Sequence, residues 1–225
     1  MSPETSPSIS HDTRVPVCNF FHARGLNSVN TLSATSETLS SAALAPLDRA
    51  RTFALVVGFS LLTALAAQVV IPVPPVPITA QTFAVLLTGA VLGSRLGALA
   101  MIAYLIEGAS GLPFFQSGHG GAHYLLFSPT AGYLWSYPAA AFLTGLLAER
   151  GWDKRFTTAA AAMTLGSLVI LLTGWAWLAR FTTPTEAFHF GVTRFLIGDA
   201  VKIVLAAAVL PTGWKLMRRR ASHEN

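Results

Sequence analysis

The sequence predicts an all-α integral membrane protein, built as a bundle of six transmembrane helices with both termini in the cytoplasm. Of its 225 residues, 52% are hydrophobic and 11% are charged, and the mean hydropathy is +0.55. The apolar residues form long blocks instead of the spaced pattern of a soluble amphipathic helix. The basic residues collect beside the ends of these blocks, so membrane orientation explains the net charge of +5. No nucleic acid partner is expected.

Six apolar blocks predict the six helices. They cover residues 50–71, 79–92, 96–109, 130–147, 157–178 and 191–214. The second and third blocks are shorter than the roughly 20 residues that a spanning helix needs, which raises the alternative of one fused span. Fusion would place Arg150, Lys154 and Arg155 outside, against the preference for basic residues in cytoplasmic loops. Six separate spans are therefore predicted.

The terminal segments differ from the membrane domain that residues 49–220 are predicted to form. Residues 1–48 are rich in Ser and Thr and have no long apolar run. Such a segment cannot bury enough surface to offset its chain entropy, so we expect a disordered cytoplasmic tail. An over-extended start of the chain is the alternative explanation. Residues 221–225 are predicted to form a short cytoplasmic C-terminal tail.

Two loops on the predicted outer side are candidate parts of a ligand site. The proline-rich run at 71–78 is stiff and leads into the second helix, where it either holds the helix N-terminus toward a ligand or fastens two helices together. The loop at 111–124 mixes glycines with aromatic residues. It is either a lid over a small ligand or a mobile connection at the membrane interface.

Asp199 and Lys202 lie one helical turn apart inside the last apolar block. Charges in hydrocarbon are costly, so they mark a ligand site or pathway, or they pair with each other to hold the bundle together. The chain has one cysteine, and its histidines lack the spacing of metal ligands, so neither a metal nor a cofactor is expected. It also lacks nucleotide-binding and hydrolase motifs, and an enzyme is not expected.

Four segments, taken in order, resemble the BioY family. They are residues 76–97, residues 108–115, residues 128–133 and the Gly198-Asp199-x-x-Lys202 motif. BioY proteins are biotin-specific S components of energy-coupling factor (ECF) transporters, and the resemblance covers residues 51 to about 220. The chain departs from the family pattern at Ser128 and Ala131, where glycines are expected.

The resemblance implies a six-helix bundle with an outward-facing pocket for biotin. Asp199 is expected to accept hydrogen bonds from the ureido N–H groups, and Lys202 to donate to the ureido carbonyl. Aromatic side chains are expected to line the apolar part of the pocket, below the glycine-rich loop. The predicted ligand contacts are Asp199, Lys202, Gln81, Phe83, Tyr104, Gly120, Gly121 and Tyr133.

The family also implies a location and partners. The chain is expected in the plasma membrane, as a multi-pass protein in the lipid bilayer, with a transmembrane coupling subunit and two ATPase subunits. A strip of small residues on the first helix, Ser60 with Ala64 and Thr63 with Ala67, fits either a partner helix or internal packing. Two other functions are weighed: a secondary transporter of a vitamin-like solute using Glu107 and Asp199, or a membrane-embedded enzyme using Asp199, Lys202 and His123.

Overall fold

The computed structural model describes residue 38 and residues 49–73 and 76–223. Apart from Thr38, the predicted N-terminal tail therefore lies outside the described residues. At the other end, the last helix continues to His223, three residues into the segment predicted as a C-terminal tail.

The described part of the chain is helical over most of its length, and it contains one two-stranded sheet. The helices are α1 (Arg49–Gln68), α2 (Gln81–Leu92), α3 (Ser94–Ala109), α4 (Ala122–Phe127), α5 (Ala131–Glu149), α6 (Phe156–Leu178), α7 (Pro184–Phe188) and α8 (Arg194–His223). Short 3₁₀ turns occur at Gln116–Gly118 and Trp152–Lys154, and a π-turn at His189–Thr193 joins α7 to α8. The strands are β1 (Val70–Ile71) and β2 (Ile78–Thr79).

Each apolar block of the sequence coincides with a helix. The helices are α1, α2, α3, α5, α6 and the continuous helical segment from α7 to α8. Among the described residues, three helices are long and apolar enough to cross a membrane: Arg49–Gln68, Phe156–Leu178 and Pro184–Gly213. Helix α2 is apolar but has 12 residues, about 18 Å at the usual helical rise. The chain is thus a helical membrane protein, and the number of crossings stays a prediction.

Helix α5 lies at the centre of the bundle and packs against α2, α3 and α6. Helix α1 packs on α3 and α2, and α8 packs on α6 and α2. The small residues predicted as a strip on α1 are all buried: Ser60, Thr63, Ala64 and Ala67. Since α1 contacts α3 and α2, this strip serves internal packing.

The proline-rich segment doubles back on itself. Val70 pairs with Thr79 and Ile71 with Ile78 in an antiparallel ladder, and the Ala80 amide donates to the Val69 carbonyl at 3.2 Å. Pro74 and Pro75 lie outside the described residues. The hairpin fixes the start of α2 beside the end of α1.

Helix backbones come into direct contact where α2, α3 and α5 meet. A single residue, Gly93, separates α2 from α3, and its φ of +86° is a conformation that favours glycine. A Cβ on Gly145 of α5 would lie 2.4 Å from both the Gly93 carbonyl carbon and the Ser94 amide nitrogen. The Glu149 carboxylate of α5 then accepts hydrogen bonds from the Ser94 amide at 2.7 Å and hydroxyl at 2.9 Å. A carboxylate at a helix start satisfies orphan N–H groups and the helix dipole.

We predict that Gly145→Ala strongly destabilises the protein, because the added methyl group meets backbone that cannot move aside. Overpacking of a core costs about 1–3 kcal/mol, and more where backbone must shift. The matched control is Gly58→Ala on α1, where an added Cβ meets nothing within 4 Å. We expect Gly58→Ala to keep or raise the melting temperature in detergent and Gly145→Ala to lower it. Equal melting temperatures would contradict this account of the α2–α3–α5 contact.

Candidate functional site

A narrow cavity lies at the end of the bundle where α1 and α3 end and α2 and α5 begin. It encloses about 440 Å³ of space free of protein atoms, counting the open side, with room for little more than one water molecule between its walls. The lining residues are Val76, Pro77, Thr79, Gln81, Thr82, Phe115, Gln116, Tyr124, Thr130, Tyr133, Leu134, Tyr137, Ile170, Leu171 and Phe195. Polar and aromatic groups thus share a mostly apolar surface, as in many small-molecule sites.

The loop after α3 closes one side of this cavity through side-chain hydrogen bonds. The Gln116 amide donates to the Tyr124 hydroxyl at 2.8 Å, and the Thr130 hydroxyl donates to the same oxygen at 3.2 Å. The Tyr124 ring stacks between Phe115 and His119, with centroid distances of 5.7 and 4.8 Å. The loop at 111–124 therefore covers the cavity, and we call it the lid segment; whether it opens stays a prediction.

A second polar group stands at the start of α2. The buried Gln81 side chain donates a hydrogen bond to the hydroxyl of Tyr104, which donates in turn to the Phe114 carbonyl at 3.0 Å. Gln81 lines the cavity, whereas Tyr104 is fully buried behind it. Tyr104 therefore holds Gln81 and the lid segment in place.

Asp199 and Lys202 form an ion pair, with 3.4 Å between Lys202 Nζ and Asp199 Oδ1. Two further helices satisfy the pair: Ser167 of α6 donates to Asp199 Oδ2, and Lys202 Nζ donates to the Thr82 hydroxyl of α2 at 2.8 Å. Asp199 is 5% exposed, and the Lys202 side chain is 16% exposed. Hydrogen bonds and an ion pair among groups from three helices therefore stabilise two charges that are costly to bury alone.

The charged pair lies beside the cavity instead of forming its surface. Thr82, the partner of Lys202, lines the cavity, and Asp199 faces a groove between α6 and α8. Leu171 lines both the cavity and this groove, so it forms part of the wall between the two spaces. The sequence left open whether the charges meet a ligand or each other, and in this arrangement they meet each other.

The structure brings five of the eight predicted contacts together. Gln81 and Tyr133 line the cavity, while Tyr104, Asp199 and Lys202 hold its walls through hydrogen bonds.

The other three predicted contacts lie elsewhere. Phe83 lies in a separate apolar groove with Leu65 and Leu87. Gly120 and Gly121 form the base of the lid, where an added Cβ on Gly120 would lie 2.2 Å from the Leu112 carbonyl oxygen and the Gly121 amide donates to Gly108.

Several polar residues of the site were not predicted from the sequence. They are Thr82, Gln116, Tyr124, Thr130 and Ser167. Thr82 and Ser167 could have been noticed as hydroxyl groups inside apolar blocks, Thr130 as a polar residue within the resembling motif at 128–133, and Tyr124 as a polar residue shortly before it. Within the described ranges, no three His, Cys, Asp or Glu residues approach closely enough to hold a metal ion.

The fold defines the class: a helical membrane protein with a narrow, partly polar cavity between its helices. The fold is similar to a solved structure, the S-component for biotin from an ECF-type ABC transporter, with a TM-score of 0.65 and 22% identity. The match covers 74% of this chain and 92% of that chain, and at this identity it shows the fold alone. The BioY family model matches residues 34–219, and the chain belongs to the BioY family.

Curated relatives agree with this assignment. The probable biotin transporter BioY of Pyrococcus horikoshii is 41% identical over 161 residues, which are 72% of this chain and 94% of that protein. The biotin transporter BioY of Thermotoga maritima is 36% identical over 153 residues, 67% of this chain and 88% of that protein. The relative from Rhizobium etli is 38% identical over 159 residues, 65% and 84% of the two chains. These proteins carry transporter names, in agreement with the expectation that the chain is not an enzyme.

We predict that Ser167→Ala lowers the melting temperature, because the buried Asp199 carboxylate loses a donor. A hydrogen bond to a charged group contributes about 1.5–3 kcal/mol. The control is Thr164→Ala on the same helix, whose hydroxyl faces the same groove but donates to the Ala160 carbonyl of its own helix at 2.8 Å. If both variants melt alike in detergent, Ser167 has no special role in satisfying Asp199.

Proposed function

We propose that this chain is the biotin-binding, substrate-specific membrane component of an uptake transporter, capturing biotin from outside the cell. The observation that carries the proposal is a buried Asp199–Lys202 pair at the edge of a polar cavity in a chain of the BioY family. The names of the relatives support biotin as the ligand.

The chemistry of the site suits the biotin head group. A carboxylate and an ammonium match the two N–H donors and the carbonyl of the ureido ring. The separation of 3.4 Å between Asp199 and Lys202 is long for a charge-assisted hydrogen bond, so the internal pair is readily exchanged for ligand contacts. Tyr133, Tyr137 and Phe195 offer aromatic surface for the apolar part of the ligand.

Binding requires the walls to move apart, because the cavity is much narrower than a vitamin molecule. Two movements would open it. The lid is fastened to the bundle by the Thr130–Tyr124 hydroxyl contact, the Tyr104 bond to the Phe114 carbonyl and the Gln68 bonds to the Pro113 and Phe115 carbonyls. Swinging the lid outward together with the short helix α4, and rotating Leu171, would join the cavity to the groove beside Asp199.

The proposed architecture is a membrane domain at residues 49–220 with six spans and both termini in the cytoplasm of a plasma-membrane protein. The six helices support it, as does the collection of Arg and Lys at one end of the bundle. The short α2 is flanked by α3 and α5, so neighbouring helices cover part of its surface and α2 does not have to match the bilayer thickness by itself.

We further propose that a transmembrane coupling subunit and two ATPase subunits work with this chain. The support is its family and its likeness to an S-component fold. The small residues of α1 are buried within the bundle, so a partner helix would contact the exposed face of α1, which carries Phe53, Leu61 and Leu65.

We predict that the purified protein binds biotin in calorimetry, in preference to thiamine and riboflavin. Asp199→Asn and Lys202→Met should each weaken binding by at least about tenfold, since truncating one partner of a buried charge pair costs about 2–5 kcal/mol. The control is Glu186→Gln, because Glu186 is an exposed residue of the α7 capping box and lines neither the cavity nor the groove beside Asp199. Unchanged affinity in both charge variants would contradict the site, and absence of biotin binding would contradict the function.

The topology is tested with cysteines in a Cys18→Ser background, which removes the single native thiol. Ser110 and Arg150 are exposed residues at opposite ends of the bundle. A membrane-impermeant maleimide should label Ser110→Cys in intact cells. It should label Arg150→Cys only after the cells are lysed. Labelling of Arg150→Cys in intact cells would contradict the six-span arrangement.

A further inference from the structure

The side chain of Tyr133 sits in a slot made by two glycines. Tyr133 belongs to α5, lines the cavity and is 6% exposed. A Cβ on Gly174 of α6 would lie 2.2–2.3 Å from three carbons of its ring, and a Cβ on Gly191 would lie 2.4 Å from its hydroxyl oxygen. The ring therefore occupies the space that side chains at Gly174 and Gly191 would take.

Two contacts hold the ring in this slot. The Tyr133 hydroxyl donates to the Gly191 carbonyl at 2.9 Å, and the ring stacks on Phe195 with 5.9 Å between centroids. Gly191 lies in the π-turn that leads into α8. Such turns interrupt the regular helix and are frequent at functional sites. The slot thus connects the cavity wall to the helix that carries Asp199 and Lys202.

We infer that Gly174 and Gly191 determine the size of the ligand cavity, because they let the Tyr133 ring recede between α6 and the π-turn. This inference rests on the proposed function, since it assigns the cavity to the ligand. Neither glycine touches the ligand in this account. Both are positioning residues that act through Tyr133.

The physical argument concerns where the ring goes when the slot is filled. Real Cβ contacts are essentially never shorter than 3.0 Å, so a Cβ on Gly174 displaces the ring by about 0.8 Å or more. Phe195 packs against one face of the ring, and the cavity is the neighbouring open space. Because the cavity is already narrow, this displacement narrows it further at the expense of the ligand.

Substitutions of Tyr133 should rescue the Gly174 and Gly191 variants differently, so the experiment can distinguish the two contacts. A Cβ on Gly191 meets the hydroxyl oxygen of Tyr133 at 2.4 Å, while the nearest ring carbon, Cζ, is 3.7 Å away. A Cβ on Gly174 meets ring carbons that phenylalanine retains. Tyr133→Phe should therefore relieve Gly191→Ala but not Gly174→Ala, and Tyr133→Ala, which removes every ring carbon, should relieve Gly174→Ala.

The measurement is biotin affinity by calorimetry on the full-length protein in detergent. Gly174→Ala and Gly191→Ala should each weaken binding by about tenfold or more. In the Tyr133→Phe background, Gly191→Ala should cause at most about a twofold further change, whereas Gly174→Ala should keep its tenfold effect. In the Tyr133→Ala background, Gly174→Ala should have little effect.

The control is Gly166→Ala, on the same helix as Gly174. Its added Cβ would lie 2.5 Å from Leu86 Cδ2 and from Thr144 Cγ2, neither of which lines the cavity. It therefore perturbs the packing of α6 without touching Tyr133. We expect it to lower the melting temperature and to leave the biotin affinity nearly unchanged. An equal loss of affinity in Gly166→Ala, or identical effects of Gly191→Ala with Tyr and with Phe at position 133, would overturn the inference.

Failure of the proposed function gives a different result. If the unmodified protein binds none of the three vitamins, the proposed function is contradicted. The claim that the slot sets the size of the ligand cavity is then contradicted as well. The slot itself is then judged by melting temperature without ligand, where Tyr133→Phe should offset the loss caused by Gly191→Ala. If the unmodified protein binds biotin and both glycine variants bind it equally well, the inference alone is wrong.

Discussion

The structure depends on the need to satisfy two charges inside an apolar helix. Asp199 is buried and Lys202 is largely so, and a buried charge without partners costs several kcal/mol. The chain meets this cost with Ser167 on α6, Thr82 on α2 and the mutual ion pair. Because these partners come from three helices, the register of α2, α6 and α8 is fixed by one polar network. The cavity lies where those helices meet α5.

The walls of the cavity comprise helices fixed by close packing and a lid held by side-chain hydrogen bonds. At the opposite end of α2 and α5, Gly145 brings α5 within backbone contact of the α2–α3 turn, so α2, α3 and α5 cannot separate without losing their packing. The lid is held by the side chains of Gln68, Tyr104 and Thr130, which belong to the bundle. A side-chain hydrogen bond contributes about 1 kcal/mol, so the binding free energy of a small ligand is large enough to break several of them.

The sequence predicted the helices well and the details of the site less well, for a physical reason. Long apolar blocks locate helices without ambiguity, and each of the six blocks coincides with one. Helix α2, however, is mostly apolar and buried on several faces, so a weak amphipathic pattern does not indicate which residues face the cavity. Gln81 and Phe83 are 200° apart on such a helix, and the cavity receives Gln81 while Phe83 faces another groove. The lid contacts depend on loop geometry, which periodicity does not encode.

The internal pairing of Asp199 with Lys202 bears directly on how a ligand would bind. A ureido group that reaches the carboxylate must compete with Ser167 and Lys202, and one that reaches the ammonium must compete with Thr82. Affinity therefore reflects the difference between ligand contacts and the internal contacts that they replace. The Ser167 bond to Oδ2 leaves Oδ1 with its 3.4 Å contact to Lys202, which is the weaker of the two. A ligand N–H directed at Oδ1 gains a strong bond and displaces a weak one, while Ser167 keeps the carboxylate oriented throughout.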